Sequence, residues 1–169
     1  MTVSLYDMTI PVLTLGLDNV SALLDKAAAH AEAKKIEPKV LAETRLIADM
    51  FPLARQVQIA CDTAKGAAGR LAGVEVPKHP DTEVTPAELK ARVKKTIDFL
   101  ASIKPTQFAG SESREVQLKF PNSTLTFTGL DYLRKFVLPN FYFHVTMTYA
   151  LLRANGTEIG KSDYLGKIQ

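Results

Sequence analysis

Residues 138–166 read LPNFYFHVTMTYALLRANGTEIGKSDYLG. Phe141, Tyr142, Phe143, Val145, Met147, Tyr149 and Leu152 encircle a helix here, so one packing seam cannot cover them all. One titratable side chain, His144, is set into this apolar run. It shares the stripe Leu133, Val137, Phe141, Thr148 and Leu151, and therefore points inward. Asn155-Gly156 then stops the helix, a pair suited to a left-handed helix end. A helix of this composition belongs to a helical core, and the rest of the chain has to supply its neighbours.

Upstream, apolar residues recur at three- and four-residue intervals. Leu5, Met8, Val12, Leu15, Val20, Leu23, Leu24, Ala27 and Ala31 predict a long first helix, with Ser4 as N-cap, Asp7 three residues later and a kink at Pro11. A polar link at Ile36–Lys39 precedes a short helical turn near Val40–Thr44. A second long helix is expected from Asp49, which would cap its first turn, with Pro52 inside that turn. Met50, Leu53, Val57, Ala60, Cys61, Ala64 and Leu71 mark its buried face, and Ala67-Ala68-Gly69 make that face narrow. The segment Gly73–Glu83, with Pro77 and Pro80, reads as an extended polar linker long enough to be a crossover. Thr85-Pro86-Ala87-Glu88 is a capping box with proline at the first helical position, and it opens a third helix that Pro105 ends. Val116, Leu118 and Phe120, a turn at Pro121-Asn122-Ser123, then Leu125 and Phe127 predict a β-hairpin. From Gly129 the helical pattern returns, interrupted or kinked at Pro139. The expectation is a mainly α fold: one four-helix-bundle domain over residues 1–169, of the up-and-down type, with a small β-hairpin before the last helix.

Composition excludes several classes of function. The chain has 169 residues, 46% hydrophobic and 23% charged, with a net charge of +3 spread along it; this is the balance of an ordinary globular protein. Its densest basic stretch, Lys90–Lys95, lies in an amphipathic pattern beside Glu88 and Asp98. That reads as a solvated helix face, and no nucleic-acid partner is expected. No run approaches the ~18 apolar residues of a membrane span. No signal peptide is legible in MTVSLYDMTIPV, so a cytoplasmic location is expected. The single Cys61 excludes an intrachain disulfide or a paired-cysteine zinc site, and reads as a buried inert thiol.

Three stretches carry a family resemblance: SLYDMTIPV, the run ADMFPLARQVQIACDTAKGAAGRLAG, and residues 138–166 quoted above. Over essentially the whole chain they resemble a bacterial family, the domain of unknown function 1993, which is similar to the wider DinB/YfiT-like superfamily of four-helix-bundle metalloenzymes. The resemblance implies a metal held by three histidines, one from the second helix and two spaced four apart on the last. Two histidines at that spacing share one helical face and can grip one ion. Here His144 occupies the last helix, but Thr148 and Asn140 stand four residues to either side. The second helix offers only Asp49, Gln56, Gln58 and Asp62, while His30 and His79 read as solvated. The triad is absent, so no metal cofactor is expected; zinc or nickel would bind only weakly, and then at His144.

The candidate pocket residues are therefore His144, Gln56, Thr148, Tyr149 and Asp49. For His144 two readings stay open, a neutral histidine hydrogen-bonded inside the bundle and a ligand or acid–base group. Gln56 is the expected hydrogen-bond partner, and burial should lower the imidazole pKa. Asp49 reads first as a helix cap, and Asp62 as the partner of Lys65 or Lys26. Tyr132, Tyr142 and Tyr149 can lend hydroxyls to a pocket or pack at an interface. Two function classes follow. One is a small-molecule binder, or a degenerate metalloenzyme-like protein, centred on His144. The other is a non-catalytic bundle acting as a homodimer. A second subunit, or the tail Ile159–Gln169, is expected to cover the apolar faces of the last helix.

Overall fold

The computed structural model describes residues 3–166. In chain order it contains α1 (Ile10–Lys34), α2 (Pro38–Glu43), α3 (Leu53–Ala72), α4 (Pro86–Ser102), a 3-10 turn at Pro105–Phe108, strands β1 (Glu115–Phe120) and β2 (Ser123–Thr128), a helical turn α5 (Gly129–Asp131), a π-helical segment (Tyr132–Val137), α6 (Leu138–Ala154) and α7 (Lys161–Leu165). The fold is thus mainly α, with an antiparallel hairpin ahead of the last long helix. No helix among the described residues is long and apolar enough to cross a membrane.

The four long helices form a bundle in which α1 and α3 each pack against both α4 and α6. The side chains fix their directions. Asp25 of α1 meets Lys90 near the start of α4, and Tyr6 before α1 reaches Ile103 past the end of α4, so these two run antiparallel. Gln56, Thr63 and Arg70 along α3 meet His144, Asn140 and Tyr132 in reverse order, so α3 opposes the last helix. The linker after α3 turns back along it, with Lys65 holding the Pro77 carbonyl and Gln58 holding Glu83. The neighbours α3 and α4 therefore run parallel, joined by the crossover that the linker's length allowed, and the expected up-and-down order is corrected at this one connection. Length makes this feasible. An extended linker of about a dozen residues spans up to ~40 Å, and a twenty-residue helix is ~30 Å long.

Local chemistry explains most boundaries. Ser4 and Asp7 do form a reciprocal capping pair, but it caps an irregular turn, and α1 begins only at Ile10. Pro11 consequently lies in the first helical turn, where no amide is missed, and the expected kink is not produced. In the mid-section of α1, Leu13 and Leu17 are buried where Val12 and Leu15 were expected. The second long helix starts at Leu53, with Pro52 as an extended N-cap that gives no side-chain cap. Asp49 lies in an exposed turn before it. A cap at Asp49 would require Phe51 to be helical, and the proline that follows disfavours that. The Thr85–Glu88 capping box is formed as expected. At Pro139 the ring cannot donate to the preceding turn. The chain accommodates this with the π-helical turns of Tyr132–Val137 rather than a break.

The hairpin pairs Val116 with Phe127 and Leu118 with Leu125 across Pro121-Asn122. Val116 and Leu118 are buried against the bundle and Phe127 packs beside them, while Phe120 and Leu125 remain exposed. The described part of the C-terminal tail does cover α6. Ile159 is buried with Leu151 and Leu152, and Tyr164 sets its ring 5.9 Å from Tyr149. Lys26 of α1 anchors this tail through Asp163, and Asn19 does so through the Tyr164 carbonyl. Residues 167–169 of the tail lie outside the described residues.

Candidate functional site

Helix α6 carries His144 into the bundle on the stripe Leu133, Val137, Phe141, Thr148 and Leu151, every member of which is buried. The imidazole is 6% exposed, and its Nδ1 lies 2.7 Å from Gln56 Oε1 on α3. Gln56 in turn donates from Nε2 to the Phe51 carbonyl at 3.1 Å. That second bond fixes the orientation of the amide, because its reverse would set two oxygens against each other. Oε1 can only accept, so His144 Nδ1 donates, and the neutral ring keeps its proton there. Nε2 is left with a lone pair and has no hydrogen-bond partner among the described residues. Burial, then the positive charge of Arg55, lowers the His144 pKa from its ordinary value. The Phe143 ring stands edge-on to the imidazole at 5.2 Å.

The other candidates fall elsewhere. Thr148 Oγ1 donates to the backbone carbonyl of His144 at 2.9 Å, so its hydroxyl proton is spent along its own helix. Tyr149 faces Tyr164 of the tail, and Asp49 is exposed on the loop before α3. The structure brings together His144 and Gln56, with Phe51 and Phe143 beside them.

The ligand set implied by the superfamily does not fit here. Around His144 stand an amide that already accepts from the imidazole, a hydroxyl committed to the backbone, and Asn140, whose amide donates to Thr63 at 2.7 Å. Among the described residues no three His, Cys, Asp or Glu side chains are arranged to hold a metal ion.

Sequence reading missed the largest charged assembly. Arg92, 2% exposed, reaches Asp62 at 2.8 Å, Asp81 at 2.9 Å, Glu83 at 3.2 Å and the Pro80 carbonyl at 3.1 Å. Lys65 adds an ion pair to Asp62 at 3.0 Å, and Arg55 pairs with Asp81. Together they bind the crossover linker to α3 and α4. The expected Asp62–Lys65 pair is therefore present but is part of this network, while Lys26 belongs to the tail. Lys90–Lys95 is not wholly a solvated face, since Arg92 is its buried member. One signal was available: Arg92 sits three residues after Leu89 and four before Thr96, on the buried stripe of α4. Nor is His79 simply solvated. Its Nδ1 is buried without a partner among the described residues, and burial, then Lys65 and Arg92, lowers its pKa.

A family model described as Domain of unknown function (DUF1993) matches residues 5–165. Among solved structures, the chain is similar to a DinB family member protein from Shewanella denitrificans, with 43% identity, a TM-score of 0.88, and coverage of 97% of this chain and 93% of that one. No curated protein matches.

Proposed function

From the premise that this chain belongs to the DUF1993 family, with a DinB family member as a structural neighbour, we propose that it is a small-molecule-binding bundle in which a single histidine has replaced a metal centre. The observation that carries this reading is the His144–Gln56–Phe51 chain of hydrogen bonds. It fixes the orientation of the imidazole and, in the neutral ring that burial favours, the tautomer that leaves Nε2 as an acceptor. Such a group accepts a hydrogen bond or a proton from a bound molecule. No step requires a metal, and the donor set does not favour one. The lone buried Cys61 accords with a cytoplasmic setting.

Nitrogen NMR of the histidine rings tests the reading. The expected spectrum has Nδ1 of His144 protonated and Nε2 unprotonated at pH 7, with titration below the free-histidine value. The opposite tautomer, or elemental analysis of untagged protein showing one transition-metal ion per chain, overturns it.

A second reading, a homodimer, is supported by apolar side chains on the same two elements. Ile47 and Phe51 before α3, and Phe143 on α6, are 60%, 54% and 53% exposed. Exposed groups of this size cost less free energy when another surface covers them. Light scattering at micromolar concentration decides it: twice the chain mass supports the dimer, and a monomer ends that reading.

A further inference from the structure

One helical turn before His144, a cavity of about 250 Å³ opens between α3, the end of β1 and the π-helical segment. Thr63, Arg70, Phe120, Tyr132, Phe136 and Asn140 contribute to its lining. The π-helical geometry stacks Tyr132 on Phe136, with centroids 6.0 Å apart and planes 14° from parallel. Segments of this kind are frequent at functional sites. Phe120, 46% exposed at the end of β1, is a further aromatic side chain on the lining.

The polar groups at one edge are unusual in what they leave unspent. Arg70 Nη1 donates to Tyr132 Oη at 3.2 Å. A Cβ at Gly66 would collide with that guanidinium, so the arginine lies back against the helix over a residue with no side chain. Among the described residues Arg70 forms no ion pair. Tyr132 is 1% exposed, and its hydroxyl accepts from Arg70 while its own proton has no acceptor among the described residues. Burial raises the phenol pKa, which keeps that proton in place. Two adjacent donors, one of them charged, thus lie side by side at the edge of an aromatic slot. Asp62 also lines the cavity, but its charge is met by Arg92 and Lys65. Lys119, a second cation, is on the lining as well.

We propose that this cavity binds a small flat carboxylate of the benzoate class, its two oxygens taking hydrogen bonds from Arg70 and Tyr132 and its ring lying between Phe120 and Phe136. Guanidinium and phenol donors match the planar carboxylate. The volume admits a ligand of roughly ten non-hydrogen atoms, below the range of drug-sized sites. The inference goes beyond the His144 reading and does not need it, because His144 is not part of this lining.

The test is an amide NMR titration of the full chain with benzoate, and with benzamide as its uncharged counterpart. Saturable shifts confined to residues around Arg70, Phe120 and Phe136 are expected, with a Kd on the order of 1 mM or below. Benzamide and the R70Q variant should each weaken binding at least tenfold, R70K less, and H144Q should leave it unchanged. Arg70 itself is exposed, but it pairs with the buried Tyr132 hydroxyl, so thermal melts of R70Q and of R70K, which keeps a donor, separate loss of the site from loss of the fold. No saturation by about 50 mM benzoate, equal binding of benzamide, or binding that survives R70Q overturns the proposal. Loss of binding in H144Q with R70Q unaffected also overturns it, and would assign the ligand to His144.

Discussion

At single positions this chain sets apart side chains that react from side chains that fill space. Cys61 lies at 0% exposure on α3, and burial pushes its thiol pKa up to about 12. The reactive species is the thiolate, so the native protein presents almost none of it near neutral pH. Native protein should therefore label with a disulfide reagent only through opening of the bundle, at a rate that rises with urea. Complete labelling within the mixing time in native buffer would show the thiol to be accessible. His144 is the contrasting case, equally inward but with one nitrogen uncommitted. Its inward position and its partner could be read from the sequence, because the helical stripe and the adjacent stripe of α3 both pass through these residues. The tautomer could not, since it depends on the Phe51 carbonyl orienting the Gln56 amide, a contact made by an irregular loop.

Among the elements, the crossover linker is held by charge rather than by apolar packing. Removing Arg92 leaves Asp62, Asp81 and Glu83 close together without their shared counter-ion. Breaking a buried pair in this way costs about 3–5 kcal/mol; since Asp62 and Asp81 are 37% and 41% exposed, the lower end applies. R92M should lower Tm by about 10 °C, whereas K90M, on the exposed side of the same helix, should change stability by less than ~0.5 kcal/mol. Equal effects in thermal melts would mean the network contributes nothing beyond a surface pair. The cap of α4 is a local device: T85A removes the hydroxyl that accepts the Glu88 amide and should cost about 1 kcal/mol by urea titration. That cap was legible because its residues are contiguous, as was the hairpin, although its turn is Pro121-Asn122 alone and Ser123, expected in the turn, is already paired with Phe120. The length of the linker allowed a crossover, but the parallel course of α3 and α4 was not decided by it, because that course is set by Lys65, Arg92 and Glu83 meeting across sequence separations that periodicity does not register. The same limit hid the late start of α3, where Pro52 acts through Phe51 and overrides the capping chemistry of Asp49.

For the molecule as a whole, histidine burial sets the response to mild acid. His144 and His79 both have folded pKa values below the ordinary one, in each case chiefly through burial. Unfolded, both would titrate near ~6.5. Below that value the unfolded chain binds protons that the folded chain refuses, so unfolding is favoured as pH falls from the unfolded value toward the folded ones. The surroundings of His79 reinforce the sign, since Lys65, Arg92 and Lys95 outnumber Asp62 in their effect on it. Carboxylates act in a different window. Asp7, Glu88 and Asp163 have lowered pKa values through hydrogen bonds to their charged forms, so the stability they add is present above about 4 and is lost only below it. Two steps of acid destabilisation are thus expected. Urea unfolding at pH 7.5, 6.5 and 5.5 should show stability falling across the upper step. The double variant H79Q/H144Q should flatten that fall and leave the step below pH ~4 in place. A slope between pH 7.5 and 5.5 that is unchanged in the double variant would show that other groups carry the response, and would remove the case for a neutral imidazole at the centre of the bundle.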